Sequence, residues 1–221
     1  KLKVYFRLKA QRGSRKGTVQ NRSALTLLIL LSFTCCISAH AGALSLKQSP
    51  LNKKTKKKIL KGNIFVQSIV NTRRKNGIQK LKYKIAGLHP KSCRFALRKL
   101  SRYQDYNHFI DFIKLSHYDD KRQKITLFLA HKLMPFDMSL KFKIPRITKV
   151  GVYPFSFDAG ILKGLSGTIN IFNEKNNRCF FLTRASWSGP NSGINDTVFE
   201  LFSSTLGRIA MEKLFRVSTT Y

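Results

Sequence analysis

The residues best able to do chemistry are charged side chains that interrupt otherwise apolar, strand-like segments. Arg146 lies within MSLKFKIPRI, Asp158 ends the apolar stretch 152–157, and Arg184 lies inside FFLTRASW. A buried charge is costly unless it is paired, so an Arg146–Asp158 pair is one expectation. An Arg184–Glu200 pair is another. An inward-facing arginine would also hold a carboxylate or a phosphate. The alternative is that each side chain points to solvent from the outer face of a sheet.

Catalytic and metal-binding patterns are sparse in the sequence. The histidines fall in neither a G-x-S-x-G nor a Cys–His context, so no triad is predicted. His131 with Asp137 is the one acid–base pair that we can formulate, against the alternative of a surface histidine. Without CxxC, HExxH or a Cys/His cluster, neither a metal nor a cofactor is expected. Cys93 and Cys179 either form a disulfide or stay two buried thiols.

The first 41 residues have the three parts of a secretory signal peptide. A basic stretch ends at Arg22, an apolar run covers 24–37, and Ser-Ala-His-Ala at 38–41 offers a small-residue cleavage site. The apolar run is about 14 residues, too short for the roughly 30 Å hydrocarbon core, although an uncleaved anchor is an alternative. No Met precedes Met134, and Val19 read as a start codon would give a shorter signal peptide. We therefore expect export to the periplasm of a Gram-negative bacterium or secretion.

Positive charge dominates what remains after such cleavage. Eight of the 42 basic residues precede Gly42, which leaves 34 against 10 acidic residues and a formal charge of about +24. This charge favours anionic partners, such as an anionic membrane surface. Export makes nucleic acid an unexpected partner, and a monomer is expected. A codon bias toward A and T is the alternative origin of the lysines.

Residues 42–61 form a Lys-dense leader, which we interpret as a flexible arm or a frayed helix because like charges repel. Such an arm is either a solvated linker or a tether to an anionic membrane. The contacting residues would be Lys53, Lys54, Lys56, Lys57, Lys58 and Lys61.

Residues 62–221 read as one α+β domain. Strands are predicted over 64–70 and 81–86, joined by a hairpin turn at Asn76-Gly77. A helix opening at His89-Pro90 and a helical segment over 103–112 follow. Apolar alternation and closely spaced turns then predict an antiparallel meander. Its strands are predicted over 125–131, 138–147, 150–157, 165–172 and 178–187.

The sequence ends in a long amphipathic helix capped by Asn195 or Asp196. Its apolar stripe is predicted to contain Val198, Phe202, Leu206 and Ile209, and to be widened by Phe199, Ala210 and Leu214. Gly207 costs about 1 kcal/mol relative to Ala in a helix, which suits a helix passing close to a sheet or beside a cavity.

This order of elements resembles the helix-grip fold of the START-like superfamily, which includes polyketide cyclases and coenzyme-Q-binding proteins. The local likeness lies in residues 81–120, where a loose Y-x-x-F/W-x-x segment is matched by Tyr106, Phe109, Ile110 and Ile113. The resemblance covers about residues 80–216; the strand at 64–70 and the leader are departures from it. It implies a curved antiparallel sheet wrapped around a long C-terminal helix, with an apolar cavity between them.

The resemblance also implies a function, the non-enzymatic binding of a lipid or another apolar small molecule in that cavity. Besides Arg146, Asp158 and Arg184, the expected lining is apolar. Trp187 would line the cavity mouth or act as a packed plug. The alternatives are a solid core, a cyclase- or hydrolase-like enzyme, and a basic adaptor that binds anionic membranes. The apolar candidates are Phe142, Phe155, Phe202 and Leu206.

Overall fold

Alternating apolar residues build one antiparallel sheet, and a long helix packs against it. The computed structural model describes residues 45–73, 77–130, 137–160 and 162–220, so the signal-peptide prediction for 1–41 lies outside the described residues. The helices are α1 (Lys53–Leu60), α2 (Cys93–Leu100), α3 (Tyr106–Phe109) and α4 (Asp196–Thr219), with a 3₁₀ turn at Tyr103–Asp105. The strands are β1 (Phe65–Arg73), β2 (Ile78–His89), β3 (Ile113–Asp119), β4 (Lys124–Leu129), β5 (Met138–Lys143), β6 (Gly151–Ala159), β7 (Ser166–Glu174) and β8 (Arg178–Pro190).

The described strands form one sheet in the order β1-β2-β8-β7-β6-β5-β4-β3, in which every neighbouring pair is antiparallel. The sheet is curved, and α4 lies across its concave face, as the helix-grip prediction requires. The predicted β1–β2 hairpin and the β4–β5 pair are both confirmed. In β5 the side chains alternate between half-buried and exposed, so Leu140 and Phe142 share the inner face.

Three sequence predictions about the elements need correction. β2 continues to His89, and α2 begins only at Cys93, because the Ser92 hydroxyl accepts a hydrogen bond from the Phe95 N–H and caps that helix (3.2 Å). Strand β3, Ile113–Asp119, was not predicted, since its apolar alternation is short. In α4, the predicted stripe residues Val198 and Ile209 are exposed, whereas Phe199 is buried as predicted and Phe215 is buried as well.

The described part of the Lys-dense leader, residues 45–61, packs against the sheet. One compact unit spans Gly42–Tyr221. Helix α1 is capped by Asn52, whose side chain accepts from the Thr55 N–H at 2.7 Å. Lysines occupy the exposed side of α1, so their repulsion is relieved by water, while Ile59 is fully buried. The buried side packs with Leu46 and Leu51 into a second apolar cluster.

This second cluster covers part of the convex face of the sheet. Successive residues of a strand point to opposite faces. In β2, Tyr83 and Ile85 face α4, so Ala86 and Leu88 lie on the convex face, where they pack in the second cluster. In β8, Phe180 and Leu182 occupy the same cluster. The N-terminal segment thus adds a third layer on the side of the sheet opposite α4.

Helix α4 is anchored near both ends. At its start, the Asp196 carboxylate accepts hydrogen bonds from the Thr72 backbone N–H (2.8 Å) and the buried Gln79 amide (2.9 Å). The Thr72 hydroxyl also donates to this carboxylate at 2.6 Å, and the side-chain hydrogen bonds from Thr72 and then Gln79 hold the pKa of Asp196 below its usual value. At its end, Ser218 lies 3.0 Å from Nε2 of the fully buried His89. The Lys91 N–H donates to Nδ1 of His89, so the Nε2–H donates to Ser218.

Cys93 and Cys179 form a disulfide, which resolves the choice that the sequence left open. It joins the first turn of α2 to the start of β8, and their Cα atoms are 4.7 Å apart. Both residues are buried in the main core, so the bond fixes α2 against the end of the sheet.

Candidate functional site

Two apolar chambers lie between the sheet and α4. The inner chamber has a volume of about 310 Å³ and reaches from β2, β7 and β8 toward α2 and the C-terminal half of α4. The outer chamber has a volume of about 250 Å³ and lies between β4, β5, β6 and the N-terminal half of α4. A curved sheet gripping one helix leaves this space because its side chains do not reach across the whole concave face.

Tyr83 separates the two chambers. It lines both of them, projecting from β2 toward Gly207 in α4. A Cβ built on Gly207 would overlap the Tyr83 hydroxyl oxygen and stand 3.0 Å from its ring Cζ. The helix therefore approaches the ring as closely as it does because residue 207 has no side chain. The prediction that Gly207 marks a close approach beside a cavity is confirmed.

Two hydroxyl groups in this wall have no hydrogen-bond partner among the residues that the structure describes. They belong to Tyr83 and Thr183, and Thr183 likewise lines both chambers. Burial raises the pKa of Tyr83 to about 12, so its phenol is neutral at physiological pH and able to donate. The register pairs Tyr83 with Ala185 and Ile85 with Thr183, so the two hydroxyl-bearing residues are diagonal neighbours on the concave face.

The remaining described hydroxyls of the lining are already engaged. The Tyr106 hydroxyl donates to the Leu100 carbonyl at 2.7 Å, and burial raises its pKa well above the usual value. The Tyr103 hydroxyl donates to the Pro145 carbonyl at 3.1 Å. In the outer chamber, the Ser203 hydroxyl donates to the Phe199 carbonyl at 2.7 Å. These hydroxyl groups stabilise the chamber walls, and their protons are not available to a ligand.

The four apolar site residues predicted from sequence do line the chambers. Phe142 faces the inner chamber, and Phe155, Phe202 and Leu206 face the outer one. The centroids of the Phe142 and Phe155 rings are 6.4 Å apart in an edge-to-face arrangement, so the walls of the two chambers meet at this pair of rings.

Arg146 does not reach the cavity. Its guanidinium forms a bidentate pair with Asp120, Nε–Oδ1 2.8 Å and Nη2–Oδ2 2.9 Å, and donates to the Ser101 carbonyl at 2.7 Å. It also lies over the Tyr118 ring, 4.6 Å from the centroid. The hydrogen bond from Arg146 lowers the pKa of Asp120. The predicted Arg146–Asp158 pair is wrong, because each residue has a nearer partner.

Asp158 and Arg184 are also outside the chambers. Asp158 lies at the end of β6, where its Oδ2 binds the Lys124 ammonium at 2.6 Å, and this hydrogen bond lowers its pKa. Arg184 is exposed on the convex face of β8, opposite Lys84. The predicted Arg184–Glu200 pair is wrong, since Glu200 instead accepts the Val70 N–H at 2.6 Å.

Trp187 is packed in the apolar core, as one of the two alternatives predicted, and does not line either chamber. It is buried, its indole N–H donates to the Lys163 carbonyl at 2.9 Å, and its ring meets Phe199 edge-on. Of the predicted acid–base pair, His131 lies outside the described residues and Asp137 is exposed.

The membrane-contact candidates lie on the exposed side of α1 and just after it. Of the six lysines, all but Lys56 are exposed; Lys56 is half-buried and its ammonium donates to the Lys47 carbonyl at 2.7 Å. A second row of cations follows β2 on the uncovered part of the convex face, where Lys80, Lys82 and Lys84 alternate with inward residues. None of the described helices is both long and apolar enough to cross a membrane.

Sequence reasoning did not select Tyr83, Thr183 or Gly207 as site residues. The first two do carry a signal, since Tyr83 alternates with Leu81 and Ile85, and Thr183 interrupts an apolar strand. The charged strand residues that the sequence does single out lie outside the chambers: Arg146 and Asp158 form ion pairs there, and Arg184 is exposed on the convex face.

The fold and the site together define a helix-grip α+β protein with a divided apolar cavity. No protein-family model and no curated protein matches the sequence. Solved structures with the same fold include the Zhui aromatase/cyclase from Streptomyces sp. R1128 (6% identity, 63% of this chain, 94% of that chain, TM-score 0.52). A conserved protein from Geobacillus kaustophilus gives 11% identity, 62% and 95% coverage, and a TM-score of 0.52. Ara h 8.0201 gives 10% identity, 64% and 99% coverage, and a TM-score of 0.50.

Proposed function

We propose that this protein binds a lipid or another apolar small molecule in the chambers beneath α4, without chemical conversion of it. The observation that carries the proposal is the lining of both chambers, in which the described residues are apolar or hydroxyl-bearing. Concave, mostly apolar pockets of about 300 Å³ or more with a few polar groups are typical of small-molecule sites. The proposal includes membership of the START-like superfamily.

A cyclase- or hydrolase-like activity in the same cavity is the second possibility from the resemblance. One neighbour in fold is named an aromatase/cyclase, which supports a cavity in this fold and not a reaction in this chain. Among the described lining residues there is no histidine and no carboxylate to serve as acid or base. Binding is therefore the better-supported proposal.

We further propose that the protein acts after export, in the cell envelope or outside the cell. The Cys93–Cys179 disulfide supports this location, because such bonds persist in oxidising compartments and are rare in the cytosol. N-terminal sequencing of the protein recovered from the periplasm or medium tests it. A mature chain beginning at Gly42 is expected, and an uncleaved chain retained in the cytoplasm would contradict it.

Ligand binding is tested by filling the inner chamber. Ala210 lines it, whereas the adjacent Ile209 points to solvent, so Ala210→Trp and Ile209→Trp make a matched pair in one helix. Native mass spectrometry of the wild-type protein should show a co-purifying apolar molecule, and the neutral fluorophore N-phenyl-1-naphthylamine should bind. Ala210→Trp is expected to abolish both, and Ile209→Trp to leave both intact. Equal binding by the two folded variants would refute a ligand in this chamber.

We also propose that the convex face contacts an anionic membrane, from which an apolar ligand would be exchanged. This is supported by two neighbouring groups of lysines, the exposed ones of α1 and, on β2, the exposed Lys80 and Lys82 with the half-buried Lys84. The exposed apolar residues Leu60 and Ile69 lie among these cations. A basic surface that also displays apolar side chains suits the interfacial region of an anionic bilayer.

Vesicle binding tests this contact. Each lysine near an anionic surface contributes about 1 kcal/mol, so replacing five should weaken binding more than about a hundredfold at low salt. The variant changes Lys53, Lys54, Lys57, Lys58 and Lys61 to Gln. A control of equal net charge changes Lys114, Lys121, Lys149, Lys163 and Lys175, which are exposed elsewhere. Equal loss in both variants would show a general charge effect and refute a specific face.

A further inference from the structure

The charge of the ligand follows from the walls of the chambers. No described lining residue of either chamber is ionisable as Lys, Arg, His, Asp or Glu. The charged candidates are held elsewhere, Arg146 by Asp120 and Asp158 by Lys124. An ion brought into such a space would lie unpaired at low dielectric, which is strongly unfavourable. The part of a ligand that enters the chambers is therefore uncharged.

The position of a polar group on the ligand follows from the unpaired hydroxyls. Within the described part of the lining, the hydroxyls of Tyr103, Tyr106 and Ser203 all donate to backbone carbonyls. Those of Tyr83 and Thr183 do not, and both lie where the inner and outer chambers meet. A polar group left without a partner in an apolar site costs free energy, which a ligand oxygen placed there would recover.

We propose that the ligand is a neutral, mostly apolar molecule with one hydrogen-bonding oxygen, recognised at the chamber boundary by the Tyr83 and Thr183 hydroxyls. The inference rests on the proposed binding function and assigns these two residues as its specificity determinants. A carbonyl oxygen accepts from both hydroxyls, and its hydrocarbon arms occupy the chambers. A purely hydrocarbon molecule fills the same space but leaves both hydroxyls unpaired.

The test compares two probes of equal length, 6-undecanone and n-undecane, by displacement of N-phenyl-1-naphthylamine. Tyr83→Phe and Thr183→Val remove one hydroxyl each with little change of shape. Each is expected to weaken the ketone about tenfold, which corresponds to about 1.4 kcal/mol. Each should change the alkane by less than about twofold, since no hydrogen bond is lost. Tyr106→Phe is the matched control, because its hydroxyl lines the inner chamber but is bound to Leu100.

The outcomes separate this inference from the function on which it rests. Selective weakening of the ketone by both boundary variants, with Tyr106→Phe leaving the ratio of the two probes unchanged, supports the inference. If the alkane binds and neither boundary variant affects the ketone selectively, the inference is refuted while the binding function stands. If neither probe displaces the fluorophore from wild-type protein, the binding function fails and the inference fails with it.

Discussion

The contact between Gly207 and Tyr83 makes a quantitative prediction about Gly207→Ala. In an ordinary helix interior this substitution stabilises by about 1 kcal/mol. Here the new Cβ overlaps the Tyr83 hydroxyl oxygen, so the ring or the helix must move. Overpacking of this kind costs about 1–3 kcal/mol. The net expectation is a protein destabilised by about 0–2 kcal/mol, in place of a stabilised one.

Tyr83→Phe isolates the cause of that loss. It removes the overlapping oxygen and leaves the nearest ring carbon, Cζ, 3.0 Å from the new Cβ, with Ile85 Cδ1 at an ordinary 3.6 Å. A shift of a few tenths of an ångström then suffices, so Gly207→Ala should be neutral or mildly stabilising in the Tyr83→Phe background. Tyr83→Phe alone should be neutral or mildly stabilising, because it removes a hydroxyl that has no partner among the described residues. The coupling free energy between the two sites is expected to be about 1–2 kcal/mol.

Urea unfolding of the four proteins of this cycle, followed by circular dichroism, measures the coupling. Ala210→Gly, three residues away in α4, gives the ordinary Ala–Gly difference in the same helix without the Tyr83 overlap. A coupling below about 0.5 kcal/mol would contradict the role of Gly207 as the site of close approach. So would Gly207→Ala stabilising the wild-type protein by the full helix-propensity difference.

The other predictions concern the layers around the cavity. In urea unfolding, Ile59→Ala should destabilise the protein by about 2–5 kcal/mol, because Ile59 is fully buried. Leu60→Ala, at a residue that is 48% exposed, should change stability by less than about 0.5 kcal/mol. Equal effects would mean that α1 does not pack on the sheet. The Cys93–Cys179 disulfide closes a loop with a sequence separation of 86, so its reduction should lower stability by about 2–5 kcal/mol. The measurement is the unfolding midpoint with and without dithiothreitol, and an unchanged midpoint would contradict the disulfide. Burial lowers the pKa of His89, so the folded state resists its protonation: stability is complete above the unfolded value near 6.5 and falls as the pH drops toward the lowered folded pKa. Unfolding free energies between pH 7.5 and 5 should show a slope that is reduced in His89→Gln, and an equal slope in both proteins would show that His89 is not its source.

The strand periodicity made most of the fold predictable, and the contrast between β5 and β8 shows how. In β5 every second residue is apolar, which indicates a strand with one solvent-exposed face, and the structure confirms this. In β8 the run Phe180–Leu182 is continuously apolar, which is typical of a strand covered on both faces. That run indicates a covering layer, which residues 45–60 supply, whereas the lysine density of the leader predicts a solvated segment. The apolar Leu46, Leu51 and Ile59 are too widely spaced to show a pattern alone.

The site was less predictable because it depends on distances between segments far apart in sequence. The sequence marks Arg146 as a charge in an apolar strand, yet only the fold brings Asp120 into bidentate contact with it. Likewise, nothing local to Gly207 indicates that Tyr83, 124 positions earlier, stands beneath it. Apolar lining residues such as Phe142 and Leu206 could be predicted, because periodicity shows which face of a strand or helix points inward. Periodicity does not show which polar groups on that face lack a hydrogen-bond partner.

The anchoring of α4 at both ends limits how quickly its cavity can exchange contents. Asp196 ties the first turn to β1 and β2, and Ser218 ties the last turn to His89. Swinging the whole helix aside would break the part-buried hydrogen bonds of Asp196 at one end or the buried His89–Ser218 hydrogen bond at the other, so that route is disfavoured. Side-chain rotation along the middle of the helix breaks none of these anchoring bonds, and rotamer changes are much faster than local or global unfolding. Ligand release should therefore be a local event whose rate is insensitive to mild urea, well separated from the slow global unfolding of the chain.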